Sequence, residues 1–320
     1  MIIDLIGSVF IVFFASILFV NAVEFIGFRL NVSKSFIGTI VSPLFTSFPE
    51  LVIFLVAILQ IGSFFGYQEA IGTIFGETFM SSSLSYSLVF LSILFSFFAV
   101  KKYRKVIVPD KALFIPYIFI SILFPFSVLP FFFPSLSIFI GAIFIISYFI
   151  YFYIIFKRKD AEMFESAEKP FLSRYMGNFL GTTIQIIISA ILIYIGSRLL
   201  LVSLLDYSSA IKISVLALSI VFIPAATAIP ETITAMIWAF RGKDTLSIAS
   251  LVGEKILYST IYPGIALLII PWNLDIYVFL SVISTTIVSI IYAALIWKGK
   301  FKTYFLLIGF IFFVFYVLII

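Results

Sequence analysis

Pro43-Leu-Phe-Thr46-Ser47-Phe-Pro49-Glu50 and Pro224-Ala-Ala-Thr227-Ala228-Ile-Pro230-Glu231 share the pattern P-x-x-T-x-x-P-E, one copy in each half of a 320-residue chain. A second pair follows them. Ile71-Gly-Thr73-Ile-Phe-Gly76-Glu77 returns as Ile248-Ala-Ser250-Leu-Val-Gly253-Glu254, at nearly the same offset. Two motifs recurring in the same order mark an internal repeat that spans the whole sequence.

The surroundings of these motifs are apolar. The chain is 63% hydrophobic and 11% charged, with a mean hydropathy of +1.27. One soluble core could not bury that much apolar surface, so the composition implies lipid as the solvent. Met1 to Val20 lacks a basic segment and a small-residue cleavage site, and reads as a span rather than a cleaved signal. The absence of cysteine excludes disulfides and thiolate metal sites, and the absence of histidine excludes an imidazole base or ligand. The net charge of +5 points to membrane topology rather than to a nucleic-acid partner, because of where the basic residues fall.

Apolar runs of roughly 20 residues bounded by charge or Pro/Gly clusters predict ten spans, near 3–23, 35–61, 69–100, 112–129, 133–156, 175–201, 210–240, 245–271, 274–297 and 301–320. Alternating the loops puts nearly every cation on one side: Arg29 and Lys34; Lys101, Lys102, Arg104, Lys105 and Lys111; Lys157, Arg158, Lys159, Lys169 and Arg174; Arg241 and Lys243; and Lys298, Lys300 and Lys302. The other side keeps only Arg198 and Lys212, and Lys255 falls inside a span. That asymmetry predicts cytoplasmic basic loops and both termini outside, in the plasma membrane. The expected fold class is all-α integral membrane, with ten transmembrane helices as two inverted five-helix repeats. The first repeat covers 1–156, a solvated cytoplasmic loop covers 157–174, and the second repeat covers 175–320. Five spans per half is an odd number, so the halves run in opposite directions, as in inverted-repeat transporters.

A carboxylate at bilayer depth costs several kcal/mol unless it is paired, protonated or bound to a cation. The motifs place four there: Glu50, Glu77, Glu231 and Glu254. Pro49 and Pro230 carry no N–H and would free carbonyls one turn back, near Phe45/Thr46 and Ala226/Thr227, while Pro43 and Pro224 add an earlier kink. With the hydroxyls of Thr46, Ser47 and Thr227 these groups form an all-oxygen set suited to Na⁺ or Ca²⁺. Gly72, Gly76 and Gly253 are expected to bring the helices of Glu77 and Glu254 close to the broken ones. Ser81 lies four residues after Glu77 and Tyr258 four after Glu254, so each pair shares a helix face.

These motifs resemble those of the cation/Ca²⁺ exchanger superfamily, the Na⁺/Ca²⁺ exchangers among them, over essentially the whole chain. That superfamily carries G-T-S-x-P-E in spans two and seven. The matching residues here are Phe45-Thr46-Ser47-Phe48-Pro49-Glu50, preceded by Asn31-Val-Ser33-Lys-Ser-Phe-Ile-Gly38, and Ala226-Thr227-Ala228-Ile229-Pro230-Glu231. The resemblance implies a secondary antiporter in which Glu50 and Glu231 are the central Ca²⁺ or Na⁺ ligands beside Thr46, Ser47 and Thr227. It also implies that spans one and six form the moving gate. The third and eighth spans depart from the family pattern G-N-x-x-G-S-N-x-x-N/D. Thr73 and Ser250 stand at the early Asn, Glu77 and Glu254 at the Ser, and Ser81 and Tyr258 at the late Asn/Asp, so a carboxylate has moved one turn along each helix.

Lys255 beside Glu254 admits two readings: a cation standing in for a bound Na⁺, or a structural partner pointing elsewhere, since adjacent helical residues do not share a face. The first would favour a proton-coupled cycle. No cofactor is expected, only transported Ca²⁺, Na⁺ or H⁺, with the lipid bilayer and inorganic cations as partners. A cation channel and an intramembrane enzyme using Lys255 with a serine are the competing readings; the second lacks any supporting motif.

Overall fold

The computed structural model describes residues 2–47, 51, 54–55, 58, 64–100, 104–158, 162–164, 167–210 and 228–319. Among these the chain is helical, and β structure is limited to the isolated bridges Ser33–Met163 and Val106–Lys302. Helix α1 covers Ile2–Arg29. Helix α2 follows as Lys34–Phe36, a π-helical turn Ile37–Val41 and Ser42–Thr46. Helix α3 comprises Phe64–Met80, a second π-helical turn Ser81–Ser85, and Tyr86–Val100. Then come α4 (Phe114–Phe126), α5 (Ser137–Lys157), α6 (Asn178–Ala210), α7 (Ile229–Phe240), α8 (Asp244–Ser259), α9 (Ile261–Ile269), α10 (Ile276–Trp297) and α11 (Ile308–Ile319).

Among the described residues six helical stretches are long and apolar enough to cross a membrane: Ile6–Arg29, Ala70–Ala99, Lys111–Phe132, Pro134–Lys157, Asn178–Gly196 and Val278–Trp297. Ile229–Phe240 and Thr303–Leu318 are shorter apolar helices. Large side chains such as Phe10, Phe14, Phe98, Phe139, Phe149 and Ile311 point outward, an apolar surface that only lipid covers at low cost. The expected single span 245–271 is instead two helices. Pro263 has no N–H to return to the carbonyl of Ser259, and the chain breaks at Thr260 (φ −136°, ψ −75°) between α8 and α9.

Local sequence explains the turn from α1 into α2. Asn31 adopts φ 52°, the left-handed conformation that Asn tolerates at a helix end. Ser33 then caps α2, its Oγ accepting from the Phe36 amide at 3.1 Å. The π-turn that follows has a chemical cause. Pro43 cannot donate to the carbonyl of Thr39, and the helix widens over Ile37–Val41 just before it.

Helices α1 and α6 pack along each other, and Gly196 on α6 makes room: a Cβ there would lie 2.8 Å from Val12 Cγ2. Gln185 Nε2 on α6 donates to Leu18 O at 2.9 Å and to Asn21 Oδ1 at 3.0 Å. Helix α8 runs through the middle of the molecule, touching α2, α3, α4, α7 and α9, and Thr245 to Ser259 are all buried.

The basic loops converge on one end. Arg104 pairs with Asp244 and also donates to Ala239 O. Lys34 pairs with Glu162, which also accepts from Thr245 Oγ1. Asp110 accepts from Ser35 Oγ at 3.0 Å and from the Glu162 amide at 2.5 Å. The central segment expected to be a plain solvated loop is therefore docked at Glu162–Phe164, with Phe164 filling the space above Gly27. Polar side chains from three separate loops draw it in, and composition alone does not reveal partners so distant in sequence.

At the same end Glu24, 4% exposed, accepts from Trp238 Nε1 at 2.8 Å and pairs with Lys243, fastening α1 to α7. Breaking a pair by removing one partner of a buried charge costs about 3–5 kcal/mol, less where the lysine is partly solvated, as here. Lys243→Met should therefore lower the unfolding midpoint in detergent, and adding Glu24→Gln should recover much of the loss. Thermal scans of the two variants check this.

Candidate cation site

Glu77 lies on α3, Glu231 on the first turn of α7 and Glu254 in the middle of α8; they are 1%, 0% and 0% exposed. Each offers a carboxylate oxygen, and these oxygens all lie within 4.8 Å of one another. That spacing suits one hard cation held by several oxygens, since Ca²⁺–O distances are about 2.3–2.6 Å. Two of the three come from the second half of the chain and one from the first, so the cluster draws on both halves.

Backbone features aim each carboxylate. Pro230 opens α7 rather than bending a continuous helix among the described residues, with Ala228 before it at φ −70°, ψ −2°. Glu231 therefore sits in the first turn of α7, where the positive end of the helix dipole favours a carboxylate or its bound ion. Glu254 is positioned by close backbone contact. On its neighbour Gly253 an added Cβ would stand 2.4 Å from Thr39 Cα and Thr39 O, and on Gly38 one would stand 2.3 Å from Ala249 Cβ. Thus α8 lies directly against the π-turn of α2, over the carbonyl that Pro43 leaves without its helical donor. Gly72 does not share this role: its Cβ position opens onto empty space.

The hydroxyls divide into two groups. Ser81 Oγ donates to Glu254 Oε2 at 2.5 Å, and a carboxylate oxygen of Glu254 lies within 4.8 Å of one of Glu231. Ser81 opens the second π-turn, whose carbonyl at Ser82 lies 2.1 Å from a Cβ built on Gly309 of α11. Thr46 Oγ1 is turned back onto its own helix, donating to Ser42 O at 3.1 Å. Ser47 Oγ is buried and has no hydrogen-bond partner among the described residues. The segment Ser42–Thr46 packs on both α7 and α8. Tyr258 is buried and stacks on Tyr262 at 4.3 Å between ring centroids. Glu50, Pro49, Pro224 and Thr227 lie outside the described residues.

The motifs left several groups unannounced. Thr232 Oγ1 donates to Ser85 Oγ at 2.7 Å. On α10, Ser281 donates to Phe75 O at 2.5 Å and Thr285 to Thr78 O at 3.3 Å, and Ser289 receives Lys255 Nζ at 3.4 Å. Ser281, Thr285 and Ser289 are spaced i, i+4, i+8 on an apolar span, and that polar stripe was the available signal. Lys255 itself is 0% exposed. Its Nζ stands 5.1 Å from the ring centre of Tyr86 and 5.0 Å from that of Tyr117.

Comparison with curated proteins gives no match. Among solved structures, the sodium-calcium exchanger NCX_Mj soaked with 100 mM Na⁺ and 10 mM Sr²⁺ superimposes with a TM-score of 0.76 at 17% identity, over 100% of this chain and 99% of that one. The same exchanger soaked with zero Na⁺ and Ca²⁺ gives 0.75 at 18% identity, over 99% of each chain. These likenesses establish the fold. The sodium/calcium exchanger protein family matches residues 2–157 and 181–320. A match over nearly the whole sequence, on a helical membrane fold with buried carboxylates at its centre, has one consequence: the chain belongs to the sodium/calcium exchanger family of membrane cation antiporters.

Proposed function

We propose that this protein exchanges Ca²⁺, or a cation of similar size, for Na⁺ by alternating access to a site built from Glu77, Glu231 and Glu254, with Glu50 as a fourth ligand and Thr46, Ser47, Thr227 and Ser81 beside them. The observation that carries the reading is the convergence of three buried carboxylates from separate helices and from both halves of the chain. At bilayer depth such a cluster is stable only when cations or protons balance it. A cycle in which one ion replaces another leaves it balanced throughout.

The proposed architecture is ten spans in two inverted repeats, 1–156 and 175–320, with the basic loops cytoplasmic and both termini outside, in the plasma membrane. The convergence of Lys34, Arg104, Lys243 and Lys302 with their loops on one end supports the alternation. The paired helices α1 and α6 are the proposed moving unit. They pack on each other along their length, and the Glu24 contacts to Trp238 and Lys243 fasten them to the remainder at the basic end.

Exchange for H⁺ is the second reading, favoured by the closeness of the buried Glu231 and Glu254 carboxyl groups, whose oxygens lie within 4.8 Å, since like charges so close favour taking up a proton. The test is Ca²⁺ uptake into proteoliposomes under an outward Na⁺ gradient and, separately, an outward H⁺ gradient. Saturable uptake driven by Na⁺ alone is expected. Uptake driven by H⁺ alone selects the second reading, and non-saturating flux without counter-transport overturns both in favour of a channel.

A further inference from the structure

Lys255 is the one lysine or arginine fully buried among the described residues, and it lies next in sequence to a proposed ion ligand. Its surroundings are unusual for a buried ammonium. Among the described residues it forms no ion pair; its neighbours are the faces of Tyr86 and Tyr117 and the Ser289 hydroxyl. The two tyrosines are locked together, their hydroxyls 2.5 Å apart. Tyr292 packs edge-on to both, at 4.8 Å and 5.8 Å, and Ser289 belongs to the same helix as Tyr292. Ring faces attract a cation and give a neutral group little, so this box suits a charged ammonium. Having no carboxylate of its own, the box leaves the positive charge to act on its surroundings. The nearest demand for it is the carboxylate cluster, because Glu254 is the preceding residue on the same fully buried stretch of α8. Consecutive residues on a helix of 3.6 per turn point about 100° apart, so the ammonium serves the cluster from the side without entering the oxygen shell.

We propose that Lys255 is a fixed, non-exchanging cation of the ion site: held in the tyrosine box beside Glu254, it permanently balances one carboxylate, so the transported load is one monovalent charge smaller than the carboxylates alone would require. This rests on the reading of Glu77, Glu231 and Glu254 as the exchange site. It also assigns Tyr86, Tyr117 and Ser289 as positioning residues for the ammonium, and it replaces both earlier alternatives for Lys255. The lysine neither occupies the ligand shell nor merely packs.

The experiment compares wild type, Lys255→Met and Lys255→Arg in proteoliposomes, reading how steeply Na⁺-driven Ca²⁺ flux depends on Na⁺ concentration. Methionine keeps the length and removes the charge, and should raise the number of Na⁺ bound in the Na⁺-loaded state, read as the Hill coefficient, by about one; arginine should leave it at its wild-type value. An unchanged Hill coefficient in a transporting Lys255→Met protein overturns the proposal. A variant too unstable or too slow to transport is read in detergent instead, from the dependence of its unfolding midpoint on Na⁺ against choline. Na⁺ should stabilise Lys255→Met more steeply than wild type, by about one additional bound ion. Equal slopes overturn the proposal. Failure of the underlying exchange reading shows itself differently, as wild-type protein that gives no gradient-driven Ca²⁺ uptake at all.

Discussion

Proteoliposomes carrying Glu231→Gln should lose gradient-driven cation uptake, by on the order of 10²-fold or more, while the protein remains folded and embedded. Glutamine keeps the shape of the side chain and its place at the start of α7, and removes only the charge. The ligand oxygens of Glu77, Glu231 and Glu254 lie within 4.8 Å of one another, and all three residues are buried, so no water replaces the lost carboxylate. Removing one partner from a buried charge interaction costs about 3–5 kcal/mol. At 1.4 kcal/mol per tenfold, that corresponds to roughly 10²–10³ in ion affinity. Glu254→Gln should fall as far, and Glu50→Gln likewise if Glu50 completes the shell. Ser81→Ala is the graded control. It deletes a 2.5 Å hydrogen bond to Glu254 but no charge, and should weaken uptake by about tenfold, in line with the ~1.5–3 kcal/mol of a hydrogen bond to a charged group. Tracer uptake, normalised to reconstituted protein, ranks the four. Full activity in Glu231→Gln would remove the residue from the site.

Gly253→Ala should be nearly as damaging for a reason that has nothing to do with charge. The added methyl would stand 2.4 Å from both Thr39 Cα and Thr39 O, and 2.7 Å from its carbonyl carbon. All three atoms are backbone, and no rotamer change relieves the overlap. The π-turn that holds them cannot slide away, because Gly38 on the same turn is already fitted against Ala249. Overpacking of this kind typically costs about 1–3 kcal/mol, with the upper end expected where only backbone can yield. Because Glu254 is the next residue, any separation of α8 from α2 also moves a ligand. The expected result is a lower unfolding midpoint together with at least tenfold slower uptake. Gly72→Ala is the control from the same pattern of small residues. Its methyl enters open space, and alanine favours the helix, so stability should hold or rise slightly. Equal behaviour of the two variants would refute the close-contact account.

Much of the site was legible because chemistry at bilayer depth is so restricted. An intramembrane glutamate needs a partner, and symmetry made four of them conspicuous; Glu77, Glu231 and Glu254 do come together. The proline logic was legible in part. Pro43 sits just past a widened turn, as a missing donor requires, and among the described residues Pro230 lies at the start of a helix. Gly72 misled because spacing fixes which residues share a face, not which neighbour that face meets. The tyrosine box was not legible at all. Tyr86, Tyr117 and Tyr292 come from three different helices, and an aromatic on an apolar span carries no mark of the cation beside it.

By itself the sequence determined the helical membrane class, the carboxylate inventory and the repeated order of motifs. Those properties follow from transfer energies and from 3.6-residue periodicity, which are local. Only the tertiary structure decided that three glutamates come together, that α8 lies against the Thr39 carbonyl, that Glu162–Phe164 is docked and that Lys255 faces rings rather than carboxylates. Each of those depends on how helices distant in sequence are placed against one another, and close packing, which no single segment contains, sets that placement.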